Sequence, residues 1–160
     1  MQDTILTMYC LCADLTRAMQ HQDDAQTKLS SAEVMTVPLV AACFFGGKIE
    51  WARRFLIEHG YFTVPLSQSR LNRRLHALPP ELWQTLFALL GEVFKSHNPR
   101  GEYVIDSLPV PACDNIRIKR CTLLQGEEHR GYTASKRRYF FGLKVHLLIT
   151  GAHHRQWLAR

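Results

Sequence analysis

The chain changes its hydrophobic period once, at Asn98-Pro99-Arg100-Gly101, and that break constrains the fold more than any other feature. Before it, apolar residues recur at steps of three and four; after it, the clearest segment alternates residue by residue. Steps of three and four line one face of a helix, whereas a step of two lines one face of a strand. The sequence therefore predicts an α+β chain with a helical domain over 1–98, a strand-bearing domain over 99–150 and a tail, 151–160, that fits neither pattern. With 160 residues, 46% of them hydrophobic and 21% charged, one compact domain or two small subdomains can be built, and disorder or a collagen-like repeat is excluded.

The helical half reads as a series of short segments. Ile5, Met8, Cys12, Leu15 and Met19 make one inward stripe. His21 to Lys28, with Asp23 and Asp24 in tandem, reads as a solvated loop. Ser30-Ser31-Ala32-Glu33 has the form of a capping box and starts a second helix through the apolar run Val34 to Phe45, which should be the central core helix despite Pro38. Ile49 to His59 follows with Trp51, Phe55 and Leu56 inward, closed by Gly60. The Trp and Phe stripe over Glu81 to Lys95 is expected to pack in the core. The longest apolar stretch, Val37 to Gly47, is shorter than the ~20 residues a bilayer needs, and Met1-Gln2-Asp3 lacks the basic region of a signal peptide. A cytoplasmic protein with no membrane partner is expected. Its five cysteines, odd in number, read as reduced thiols.

The net charge of +6 is unevenly placed. Residues 1–50 carry three Lys/Arg against six Asp/Glu, 51–100 seven against three, and 101–160 ten against five. A basic balance confined to the later two thirds fits a polyanionic partner, because Lys and Arg release condensed counterions when they neutralise phosphates. Residues 67–78 form the candidate contact helix. Leu71, Leu75 and Leu78 line its inner face, while Arg70, Asn72, Arg73, Arg74 and His76 occupy the rest. Arginine suits guanine edges and phosphates, and asparagine suits adenine. Preceded by Ile49–His59, this helix has the outline of a helix-turn-helix with a linker longer than usual.

In the second half, Glu102-Tyr103-Val104-Ile105 reads as a short strand that presents Asp106 at its end, with Asp106-Ser107-Leu108-Pro109 breaking it. A carboxylate at a strand end can hold a metal ion. From Val110 to Arg138 no period is visible and the stretch is basic. Cys113, Cys121 and His129, separated by seven residues each time, match no zinc spacing. Tyr139 to Ile149 is the clearest strand, with Phe141, Leu143, Val145, Leu147 and Ile149 on one face and Gly142, Lys144 and His146 on the other. A half-buried strand is the structural reading, though Lys144 and His146, two apart on one face and opposite the strand of Asp106, could reach a common site with it.

The series Tyr103-Val104-Ile105-Asp106-Ser107-Leu108-Pro109, Cys113, a basic stretch with Gly131, and Tyr139-Phe140-Phe141-Gly142-Leu143-Lys144-Val145-His146 resembles the start of the catalytic domain of DDE transposases of bacterial insertion sequences. The segments Phe55 to Phe62 and Ser69 to His76 look like the helical N-terminal domain of one subgroup. The resemblance spans roughly 30–150. It implies an RNase H-like core in which three acids hold two divalent cations, Mg2+ or Mn2+, that activate a hydroxyl for in-line attack on a DNA phosphodiester. Asp106 would be the first acid and a metal ligand. Arg70, Asn72, Arg73 and Arg74 would contact the element's ends, and Lys144 and His146 the strand being cut. After Ile149 the family pattern calls for two more acids, whereas 151–160 reads as a frame-shifted or prematurely ended tail. The expectations are an incomplete core that binds no metal, an inactive isolated chain that still occupies DNA, and self-association through the uncovered apolar face of a two-stranded core.

Overall fold

A computed structural model describes residues 1–62, 64–113 and 115–150, and in it the chain is α+β, with five α-helices followed by a three-stranded antiparallel sheet. The chain forms two compact units, Met1–Gly91 and Glu92–Arg160. The division falls inside the fifth helix, ahead of the Asn98–Gly101 turn, where the exposed Val93 and Phe94 leave the helical core. The tail 151–160 lies outside the described residues, as does Asp114.

The first unit packs α1 (Gln2–Ala18), α2 (Ser31–Phe44), α3 (Ile49–Glu58), α4 (Gln68–Ala77) and the start of α5 (Pro80–Ser96). The capping box at α2 is present: the Ser30 hydroxyl oxygen accepts from the Glu33 amide at 3.2 Å, and Glu33 Oε2 accepts from the Ser30 amide at 2.6 Å. Two orphan donors are thereby satisfied at the start of the helix that supplies more of the core than any other. Val34, Met35, Val37 and Val40 are fully buried, joined by Ile5, Cys12 and Leu15 of α1. Pro38 is carried inside α2 without interrupting it. Packing around the helix outweighs the one lost hydrogen bond.

Two inward assignments from the sequence need correcting. In α3 the buried stripe is Ala52 and Leu56, with Phe55 half-buried; Trp51 is 61% exposed and lies under the Lys48 ammonium at 4.7 Å. A small Ala allows close helix approach that an indole at the same contact would block. In α5 the buried residues are Leu82 and Leu86, while Phe87 is exposed and Trp83 only half-buried. Leucines at an i, i+4 spacing seat that helix, so the aromatic stripe lies to one side.

The sheet has the order β1-β3-β2, built from β1 (Tyr103–Cys113), β2 (Arg130–Thr133) and β3 (Arg138–Thr150). β1 does not end at Asp106 but runs on through Pro109 and Pro111 to a bulge before Cys113. Prolines two apart place both missing N–H groups on the same side, and β1, an edge strand, can turn that side away from its partner. β2 was not visible in the sequence because four residues beginning Arg-Gly carry no period. At Gly131 a Cβ would meet the far end of the Phe140 ring, which would have to swing aside. Among the described sheet residues Phe141 is the fully buried apolar side chain. Leu108, Val110, Leu143, Val145 and Leu147 are exposed, so β3 is not the half-buried strand its alternation suggests. Among the described residues no single helix is long and apolar enough to cross a membrane; α2 and α3 reach that length only as a pair bent by 110°.

These burials predict a sharp contrast in urea unfolding. Leu71→Ala, at a position 1% exposed, should cost ~3 kcal/mol. Trp51→Ala should cost no more than ~1 kcal/mol, the scale of an exposed cation–π contact.

Candidate nucleic-acid interface

Helix α4 carries the candidate interface, and its placement begins with the residues before it. Arg53, bound to Glu50 through Nε at 2.7 Å, also donates to the Leu66 carbonyl at 2.6 Å and so fixes the approach to α4. Ser67 occupies the N-cap position with extended backbone, although its side chain makes no capping bond. Leu71 is the buried anchor, Leu75 is half-buried, and Leu78, extended ahead of Pro79, ends the helix. Arg70, Asn72, Arg73 and His76 are left on the exposed face.

Arg74 is placed differently from the other candidates. Its guanidinium donates to Asp23 Oδ1 at 2.9 Å and to the Leu29 carbonyl at 3.1 Å. Asp23 is meanwhile a helix-start ligand: its Oδ2 accepts from the Ser31 amide at 2.9 Å and its Oδ1 from the Ser31 hydroxyl at 2.6 Å. His21 Nε2 lies 3.0 Å from the same hydroxyl. The loop that the sequence presents as merely solvated thus joins the start of α2 to α4. Burial raises the Asp23 carboxyl, but hydrogen bonds from the Ser31 side chain and backbone and from Arg74 outweigh it and hold the pKa below its ordinary value. No sequence pattern marks Asp23, since the pairing spans fifty-one positions.

An open groove of ≈ 420 Å³ runs between this loop and α4. Leu29 and Leu66 form its apolar floor, and Lys28, Arg70, Arg73 and Arg74 form its rim. With Arg74 neutralised by Asp23, three cations remain to face an anion. Such a groove beside an exposed Arg/Asn helix face can hold a phosphate backbone while α4, about 15 Å long at 1.5 Å per residue, enters a major groove about 12 Å wide.

The strand residues do not assemble as expected. In the β1–β3 register Asp106 pairs with Leu147, Ser107 with His146, and Pro109 with Lys144. Cross-strand partners share a face and neighbours alternate, so Asp106 lies on the face of Leu108, Val145 and Leu147, and Lys144 and His146 lie on the other. The expected common site of Asp106 with Lys144 and His146 is therefore ruled out by the register. His146 Nδ1 instead sits 2.8 Å from the Ser107 hydroxyl, and Asp106 Oδ1 accepts from the Ser107 amide at 2.7 Å. Among the described residues no three His, Cys, Asp or Glu side chains gather in a metal-holding group. A single carboxylate among apolar neighbours does not fit a two-cation site, whose ions each need several oxygen ligands. Elsewhere in the second unit, Lys136, Arg137 and Arg138 line a ≈ 430 Å³ pocket with Pro109, Pro111 and Tyr139.

Compared with known proteins, the chain matches no family model, no curated protein and no solved structure.

The Asp23 cluster has a pH signature. Because the native pKa is lowered, the carboxylate's stabilisation is complete above its ordinary value of 3.8 and is lost as pH falls through the native value. Glu50, held at about 2 by Arg53 with help from Arg54, gives a similar loss between 4.5 and about 2. Asp23→Asn should remove the Asp23 share of the acid-side decline in thermal stability, which sets in below 3.8, and keep the Glu50 share, which sets in below 4.5; at pH 7 it should cost about 1 kcal/mol, the scale of one hydrogen bond, because Asn keeps a single oxygen acceptor. An unchanged acid profile in calorimetry would refute the assignment.

Proposed function

We propose that this chain is the N-terminal part of a DDE-type insertion-sequence transposase, acting in the cytoplasm, whose helical unit binds the ends of the element's DNA through α4. The observation that carries this reading is the seating of α4: Leu71 and Arg74 hold it from beneath, and Arg70, Asn72 and Arg73 are left exposed beside a cationic groove. Arg70 and Arg73 would meet guanine edges and phosphates, Asn72 an adenine edge, and Lys28 the backbone at the groove rim. Arg74 acts as a positioning residue.

The transposase part of the reading rests on the sequence resemblance, with antiparallel β1 and β3 as the first strands of an RNase H-like sheet and Asp106 as the first of its acids. Lys144 and His146 enter it as phosphate contacts on the opposite face, not as partners of Asp106. The exposed Leu143, Val145 and Leu147 would support self-association. In this reading Asp106 stands on the apolar face of the sheet away from other carboxylates, and the 160-residue chain would occupy element ends without cutting them.

Fluorescence anisotropy with duplexes taken from the element's own termini tests this directly. Affinity should fall steeply with salt, with Arg70→Ala and Arg73→Ala each losing roughly tenfold or more on terminal DNA and less on random DNA. Equal losses on both duplexes would reduce α4 to a nonspecific patch, and salt-independent binding would contradict the phosphate contacts. Incubated with Mg2+ or Mn2+, the purified chain should leave labelled terminal DNA uncut; cleavage abolished by Asp106→Ala would overturn the assignment of occupancy alone.

A further inference from the structure

Cys113 closes β1, Cys121 follows the 3-10 turn Asn115–Arg120, and the turn brings the two side chains within hydrogen-bonding reach of each other. Both are half-buried, and both line a pocket of ≈ 380 Å³ shared with Arg117, Arg120 and Thr122. The pair is unlike the other thiols. Cys12 is buried and its pKa is pushed up to about 11 by burial, which a hydrogen bond with Thr36 only partly offsets; it therefore stays protonated. Cys10 and Cys43 are exposed on α1 and α2.

The surroundings select a chemistry. Two guanidinium groups oppose a bound cation, and among the described residues no third ligand joins the sulfurs, so the pair is a poor metal site. The same guanidinium groups attract an anionic reactant to the pocket. Backbone hydrogen bonds from Leu124 and Leu123, with one from Cys113, outweigh burial and lower the Cys121 pKa.

We propose that Cys113 and Cys121 form a dithiol site that reacts with anionic low-molecular-weight disulfides, the class to which glutathione disulfide belongs. The Cys121 thiolate attacks one sulfur of the external disulfide, forming a mixed disulfide and expelling one thiolate. The Cys113 thiol then loses its proton and attacks Cys121 Sγ, expelling the second thiolate. Two protein thiols are oxidised to one disulfide, the external disulfide is reduced to two thiols, and the two protons leave with those thiols. Cys121 is the attacking group because its thiolate is the stabilised one. The new bond ties the turn bearing Arg117, Lys119 and Arg120 to the end of β1.

Tryptic mapping of the intact chain after exposure to glutathione disulfide tests the proposal. Cleavage after Arg117 and Arg120 separates the two cysteines, so the internal disulfide appears as a peptide ending at Arg117 joined to one beginning at Cys121. That species should form several-fold faster than glutathione adds to Cys10 or Cys43. Cys113→Ser should stop at the mixed disulfide on Cys121, and cystamine, a cationic disulfide, should close the pair several-fold more slowly. In urea the rate advantage should vanish. Reaction at Cys121 no faster than at Cys10 and Cys43, closure as fast with cystamine, or an advantage that survives urea would each overturn the proposal.

Discussion

The helical unit depends on one carboxylate. Asp23 receives the Ser31 amide and hydroxyl at the start of α2 and the Arg74 guanidinium from α4, while Arg74 reaches on to the Leu29 carbonyl. α2 would be a core helix on its apolar content alone, but hydrophobic contact is non-directional and does not fix how a neighbouring helix is rotated. A charge-assisted hydrogen bond does. With Leu71 below and Arg74 pinned at its side, α4 has one rotational setting, and that setting determines that Arg70, Asn72 and Arg73 face outward beside the groove. Arg74 itself is turned back toward Asp23 and the Leu29 carbonyl.

Local signals were legible in the sequence and long-range ones were not. The capping box at Ser30 and Glu33, the end of α3 at Gly60 and the change of period after Asn98 all rest on interactions within a few positions, and each corresponds to an observed feature. Trp51 and Phe87 were misplaced because hydrophobicity alone does not say which of two adjacent stripes meets the core; the small Ala52 and the Leu82/Leu86 pair decided it. Of the site, the basic face of α4 could be read directly. Asp23 could not, because its partner is fifty-one positions away and the loop around it carries no period.

The strands show how much rests on register. Asp106, Lys144 and His146 look like neighbours when β1 and β3 are written side by side, yet the pairing of Asp106 with Leu147 puts the carboxylate on the apolar face and the two bases behind it. A slip of one residue would reverse that arrangement. Pro109, where the sequence suggests that the strand breaks, and Pro111 after it lie on an edge strand and leave the pairing with β3 intact. They also blunt an edge that would otherwise invite another strand. Among the described residues of the second unit Phe141 is the fully buried large apolar side chain, while Leu108, Val110, Leu143, Val145 and Leu147 are exposed.

The surface proposed to meet DNA is α4 as seated by Asp23 and Arg74. Amide hydrogen exchange of the 160-residue chain, measured with and without a duplex carrying the element's terminal sequence, addresses it most directly. The account predicts added protection concentrated in 67–78 and in the groove segment 26–29, with α1 and α3 unchanged. Protection that appears elsewhere and leaves 67–78 unaffected, or no added protection at a DNA concentration that saturates binding, would contradict it.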